Sequence, residues 1–213
     1  LLCPSMMCAN YGNLGEEVEK LEEAGADIFH IDIMDGQFVP NFGMGLQDVE
    51  FICKKATIPV DAHLMIENPG SYVEKFAKMG IKIIYIHPES DVHPTRTLQS
   101  IIDAGATPGI AINPGTAVAT IKPLLPFVKY VMVMSVNPGF AGQKYISSVD
   151  EKIKELIELK EKYGYEVMLD GACSPERVET LSKMGVKGFI LGTSALFGKG
   201  KPYKELLDGL RAL

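Results

Sequence analysis

Apolar residues in this chain fall into short continuous runs, separated by longer stretches in which they mark one helical face only. The β-branched, apolar runs predict strands at about 1–7, 27–33, 58–65, 82–87, 107–112, 130–136, 165–170 and 187–191. The intervening stretches predict helices near 14–24, 46–55, 69–79, 94–104, 116–124, 148–163, 175–184 and 202–212. After Ser148, for example, Ile153, Leu156 and Ile157 share a face and Lys and Glu occupy the others. Eight alternations with uninterrupted apolar strands describe a parallel sheet covered by helices. The expectation is an α/β chain folded as a single (β/α)8 TIM barrel over residues 1–213, in preference to an open doubly wound sheet. The first strand-to-helix turn also lacks the GxGxxG fingerprint of a dinucleotide site.

The punctuation agrees with this frame. Gly25, Gly80, Gly105 and Gly185 each follow a helical stretch and precede an apolar run, where a chain leaving a helix turns left-handed. Asn13 with Glu16 and Ser148 with Glu151 have capping-box spacing, and Ser174-Pro175 places an N-cap before a first-turn proline.

Three strands are interrupted by ionisable pairs: His30 and Asp32, Asp61 and His63, Glu166 and Asp170. A charge or imidazole in an apolar strand costs several kcal/mol unless it is paired, hydrogen-bonded or metal-bound. Alternate strand residues face the same way, and in a barrel of this kind the strand carboxyl ends carry the active site. His30, Asp32, His63 and Asp170 therefore face one mouth. They form either a core polar cluster or a site for one divalent transition metal, Zn, Mn, Fe or Co. Asp61 is expected to accept the second N–H of His63.

Glycine-rich stretches are expected at the same mouth: Gly139, Phe140, Ala141 and Gly142 after strand six, Gly171 and Ala172 after strand seven, and Gly192, Thr193 and Ser194 after strand eight. One such loop is a turn; three in succession predict phosphate held by backbone N–H groups. Met34, Met65 and Met134 lie at strand ends, as core filling or as an apolar lid over a reactive carbanion. His87, ending strand four, is expected to touch substrate, and His93 to sit in solvent at a helix start.

Composition narrows the partners. Among 213 residues, 46% are hydrophobic, the net charge is −6 and Trp is absent. No basic stripe exists to bind nucleic acid, and no run is long enough to span a membrane. Cys3, Cys8, Cys53 and Cys173 lack metal or disulfide-scaffold spacing and read as free thiols in a reducing cytoplasm. No basic leader precedes an apolar segment, so no signal peptide is expected; the chain opens on Leu1, so at least one residue is expected to precede it.

On Pro4-Ser5, His30-Ile-Asp-Ile-Met-Asp-Gly-Gln-Phe-Val-Pro-Asn41, Asp61-Ala-His-Leu-Met65, Met134-Ser-Val-Asn-Pro-Gly-Phe-Ala-Gly-Gln143 and Asp170-Gly171, the chain resembles the ribulose-phosphate 3-epimerase family along essentially its whole length. The resemblance implies a metal held by His30, Asp32, His63 and Asp170, Asp32 and Asp170 as catalytic acid and base, and Ser5 in contact with a small ketose phosphate. His63 and Asp170 would border that substrate, with phosphate on the three glycine loops. It also implies a homo-oligomer. Ala141, Ala172-Cys173, His87-Pro-Glu89 and Gly192-Thr-Ser-Ala-Leu-Phe197 depart from the usual pattern and look like the allulose-6-phosphate 3-epimerase branch. The expected reaction is thus D-allulose 6-phosphate to D-fructose 6-phosphate through a 2,3-enediolate, with D-ribulose 5-phosphate to D-xylulose 5-phosphate as the alternative. A related decarboxylase or aldolase would carry Asp-x-Lys-x-x-Asp, but the strand bearing Asp32 has no lysine. A barrel that binds sugar phosphate without catalysis is the remoter alternative.

Overall fold

The computed structural model describes residues 1–213. Its strands are β1 (Leu2–Pro4), β2 (Phe29–Met34), β3 (Val60–Met65), β4 (Ile83–Ile86), β5 (Thr107–Ile112), β6 (Tyr130–Met134), β7 (Glu166–Asp170) and β8 (Gly188–Leu191). All ladders are parallel, in the order β1-β8-β7-β6-β5-β4-β3-β2. A parallel bridge between Ser5 and His30 brings the two ends of that order together and closes the (β/α)8 barrel. The helices are α1 (Leu14–Glu23), α2 (Leu46–Lys55), α3 (Val73–Met79), α4 (Pro94–Asp103), α5 (Val118–Ile121), α6 (Val149–Tyr163), α7 (Pro175–Met184) and α8 (Tyr203–Arg211). None is long and apolar enough to cross a membrane.

Strand alternation divides the core in two. Phe29, Ile31 and Ile33 of β2, Val60, Ala62 and Leu64 of β3, and Val131 and Val133 of β6 point outward and pack with helix residues such as Val18, Leu21 and Ile52. The opposite face fills the barrel with Cys3, Ile83, Tyr85, Ala111, Met132, Met168 and Ile190. The same inward face carries His30, Asp32 and Met34 on β2, with Asp61, His63 and Met65 beside them on β3. The ionisable groups thus stack above the apolar fill, toward the carboxyl ends of the strands.

Gly25, Gly80, Gly105 and Gly185 all adopt positive φ, between 79° and 115°, where a Cβ would be strained. Other local expectations are corrected. β1 is shorter than 1–7, because the chain leaves it in a 3-10 turn at Met6–Cys8. The helix expected over 116–124 gives way after Ile121 to a 3-10 segment, Lys122–Phe127, because Pro123 and Pro126 supply no N–H for an α-helical ladder. Neither Asn13 nor Ser148 caps with its side chain. Ser148 already has helical dihedrals, whereas a cap oxygen needs extended backbone. Ser174 does cap, accepting the Arg177 N–H at 3.4 Å.

Gly109 shows how tightly the barrel interior is filled. A Cβ there would lie 2.5 Å from Cδ1 of the fully buried Tyr85 ring. Gly109→Ala is expected to destabilise the fold by about 1–3 kcal/mol, the usual cost of overpacking. Urea unfolding checks this, and unchanged stability would mean that the ring yields freely.

Candidate metal centre

Cross-strand register builds the site. Asp32 lies beside His63 and His30 beside Asp61, while Met134 lies beside Asp170 on the β6–β7 side. The structure brings His30, Asp32, His63 and Asp170 together, with one ligand atom from each within 4.8 Å of the others. His30 Nε2 is 3.3 Å from Asp32 Oδ1, and His63 Nδ1 is 3.4 Å from Asp32 Oδ1 and 3.5 Å from Asp170 Oδ2. These separations exceed good hydrogen bonds. His30 Nε2 and His63 Nδ1 are sealed from solvent and have no hydrogen-bond partner, a costly arrangement for buried polar atoms. Two imidazole nitrogens and two carboxylates converging at this spacing fit a divalent transition cation, which would satisfy both orphaned nitrogens.

The remaining atoms of these groups are tied down. Ser5 donates its hydroxyl to Asp32 Oδ2 at 2.7 Å. His30 Nδ1 meets Asp61 Oδ1 at 2.6 Å, and His63 Nε2 meets His87 Nε2 at 2.8 Å. Asp61 therefore partners His30 and not His63. The reason is strand geometry: residues two apart on one strand are separated by about 6.6 Å, whereas neighbours across a ladder are about 4.8 Å apart. His87 is fully buried against the Phe38 ring, with centroids 4.8 Å apart, and serves His63 instead of opening to substrate. His93 is exposed before α4, as expected. Glu166 takes no part: it sits at the far end of β7, 3.3 Å from Lys160.

The charges reinforce each other. Burial alone would depress the His30 imidazole, but Asp61 and Asp32 hold its pKa well above the ordinary value. His63 is likewise raised, with Asp170 and Asp32 overcoming its burial. Asp32 is held far below the usual carboxylate range, since the two imidazoles outweigh its desolvation. Burial raises the Asp61 carboxyl against the pull of His30. Burial pushes His87 down to about 4, against the opposing pull of Glu89.

A cleft of about 560 Å³, counting the solvent-open space at its mouth, lies above this cluster. Ser5, Asp32, Met34, Met65, Met134, Gly139, Phe140, Ala141, Gly142, Asp170, Gly171, Ala172, Gly192, Thr193 and Ser194 all line it. No Lys or Arg does. The main-chain N–H groups of Gly171, Ala172, Gly192, Thr193 and Ser194 donate to no main-chain carbonyl, which leaves them free to meet an anion. Gly171 has φ +97°, and a Cβ there would come within 2.6 Å of Val136. Ala172 adopts the left-handed region at φ +47°.

Sequence reasoning missed Cys8, Cys173 and Gln143 in the lining; Asn137, which heads the glycine-rich stretch after strand six, is there as well. Gln143 Nε2 donates to the carbonyls of Asn137 at 2.6 Å and Phe140 at 2.9 Å, pinning the loop; its place in a glycine-rich run was the available signal. Cys8 is brought in by the turn after β1, which no periodicity announces. Asn41 Nδ2 donates to the Gly139 carbonyl at 2.7 Å, joining the loops after β2 and β6 across the mouth.

Comparison with known proteins follows this geometry. The model of the ribulose-phosphate 3 epimerase family matches residues 1–197. A ribulose-phosphate 3-epimerase of Aquifex aeolicus is 39% identical over 93% of this chain and 90% of its own. One from Bacillus subtilis is 38% identical over 97% of this chain and 96% of its own. Among solved structures, a mutant tryptophan synthase alpha-subunit from Pyrococcus furiosus superposes with a TM-score of 0.71 at 14% identity, covering 100% of this chain and 98% of that one. That likeness concerns the fold alone.

The Asp61–His30 bond gives a direct expectation. Asp61→Asn should weaken divalent-metal binding on the order of 10–100-fold, as loss of a ligand-orienting partner generally does. Titration against a chromophoric chelator checks this; affinity equal to that of the unaltered chain would show that His30 needs no such partner.

Proposed function

The chain belongs to the ribulose-phosphate 3-epimerase family, and from that premise we propose that this epimerase interconverts D-ribulose 5-phosphate and D-xylulose 5-phosphate by inverting C3. The observation that carries the reading is the pair Asp32 and Asp170, brought from β2 and β7 to one cleft beside two buried imidazoles. His30, Asp32, His63 and Asp170 would hold a divalent transition cation, Zn, Mn, Fe or Co. When bound, such an ion supplies Lewis-acid stabilisation to the oxygens flanking the carbon that loses its hydrogen.

The chain's own groups do the rest. Epimerisation removes the C3 proton next to the C2 carbonyl and returns one to the opposite face, so it needs two acid–base groups. Asp170 accepts no hydrogen bond of normal length from a protein donor and is free to take or give a proton at Oδ1. Asp32 works from the other strand, its Oδ2 oriented by the Ser5 hydroxyl. Met34 and Met65 are buried with Val39 in a small apolar group at the mouth, and Met134 is buried beside Asp170. Their thioethers keep water from protonating the carbanionic intermediate. The N–H groups at Gly171, Ala172, Gly192, Thr193 and Ser194 receive the phosphate, and the loop at Gly139, Phe140, Ala141 and Gly142 completes the cradle, which suits a cleft without basic side chains. We also read the protein as a cytoplasmic homo-oligomer, on its four free cysteines and its family.

A second reading, D-allulose 6-phosphate as the substrate, is favoured by Ala141 and Ala172-Cys173, which depart from the family's glycine pattern. A comparison of kcat/KM on D-ribulose 5-phosphate and D-allulose 6-phosphate separates the two. Preference for the pentulose supports the first reading; preference for the hexulose replaces it with the second.

Asp32→Asn and Asp170→Asn should each lower kcat by about 10²–10⁴-fold or more, the range for a lost acid or base, while circular dichroism stays unchanged. With the unaltered chain, solvent deuterium should enter C3 of either epimer as inversion proceeds; each variant should fail to invert, and any exchange it retains should be confined to the one epimer that faces its remaining carboxylate. Near-normal turnover in either one would exclude the two-acid scheme.

A further inference from the structure

The His63–His87 contact poses a problem of proton placement. Both rings are fully buried, and their Nε2 atoms lie 2.8 Å apart. One hydrogen must sit between them, on either ring. If His63 provides it, Nδ1 of neutral His63 keeps its lone pair toward Asp32 and Asp170, and neutral His87 carries its proton on Nδ1. If His87 provides it, His63 is protonated on Nδ1 and closed to a cation, and His87 turns a bare Nδ1 lone pair outward.

Glu89 distinguishes the two arrangements. Its Oε2 lies 3.5 Å from His87 Nδ1, too far for a full hydrogen bond but close enough to favour N–H over a lone pair. The carboxylate is itself fixed, accepting the Asn113 N–H at 2.9 Å and the Thr116 hydroxyl on Oε1. Lys152 in turn holds that loop through the carbonyls of Asn113 and Pro114, at 2.7 and 2.9 Å. His30 reaches the matching state by a shorter route, with Asp61 directly on its Nδ1.

We infer that His87, oriented by Glu89, is a positioning residue that sets which nitrogen of His63 bears the proton and so presents Nδ1 unprotonated to a divalent cation. The inference rests on reading the four-residue cluster as a metal centre. His87 touches neither the cation nor the sugar; it acts through His63.

The test is the affinity of the full-length, metal-free chain for Zn²⁺, by competition with a chromophoric chelator. His87→Phe keeps a flat ring but offers no acceptor, and should bind about 10–100-fold more weakly. His87→Gln offers an amide oxygen to the same N–H and should recover most of that loss. Glu89→Leu leaves both rings in place and should weaken binding in the same direction, which keeps the test decisive should the Phe variant fail to fold. In the Zn²⁺-loaded chain labelled with ¹⁵N-histidine, the His63 proton should appear on Nε2. Undiminished Zn²⁺ affinity in His87→Phe or Glu89→Leu, or Gln no better than Phe, overturns the role of His87. A His63 proton on Nδ1 does the same. An unaltered chain that binds no Zn²⁺ overturns the metal centre itself, a different failure.

Discussion

Ionisable groups withdrawn from water are tolerable only where they satisfy one another, and this constraint governs the mouth of the barrel. β2 and β3 place His30, Asp32, Asp61 and His63 in a compact block with almost no solvent. Removing any one member would strand another. Ser5 and His87 extend the block sideways, and Asp170 closes it from the far side of the ring with its carboxylate partly open to the cleft. The apolar interior below and the methionines above keep the dielectric low, which strengthens each of these interactions.

The same constraint explains the division of labour among the carboxylates. Asp61 lies deepest and is committed to His30. Asp32 accepts the Ser5 hydroxyl on Oδ2 and faces both imidazoles across 3.3 and 3.4 Å from Oδ1. Asp170, at the top of β7, is the least encumbered of the three and borders the glycine loops. A substrate entering from solvent would therefore meet Asp170 before the more enclosed Asp32.

Much of this was legible in the sequence because strand periodicity is rigid. Alternation alone puts His30 with Asp32 and Asp61 with His63 on one face, and glycines after helices mark where each strand begins. What alternation does not show is which residues stand abreast on neighbouring strands. Alternation therefore matches Asp61 with His63 on its own strand, whereas the ladder sets it beside His30. A strand-end position by itself puts His87 within reach of substrate, yet Phe38 folds over its ring and its Nε2 turns to His63. Capping spacing at Asn13 and Ser148 failed because it ignores backbone angles, which here leave neither side chain positioned to cap. The two sugar readings differ only at loop residues such as Ala141 and Ala172, where no periodicity applies.

Ala172 has a consequence for how an anion would be received. An L-residue in the left-handed region costs roughly 1–2 kcal/mol, a penalty that glycine avoids. Glycine at this place, however, would also visit many other shapes, and a visiting phosphate would have to freeze them out. With alanine the peptide planes on either side are restricted before any guest arrives, so the entropy of ordering is spent during folding and not during capture. Rigidity at the rim is thus bought with stability in the body of the protein.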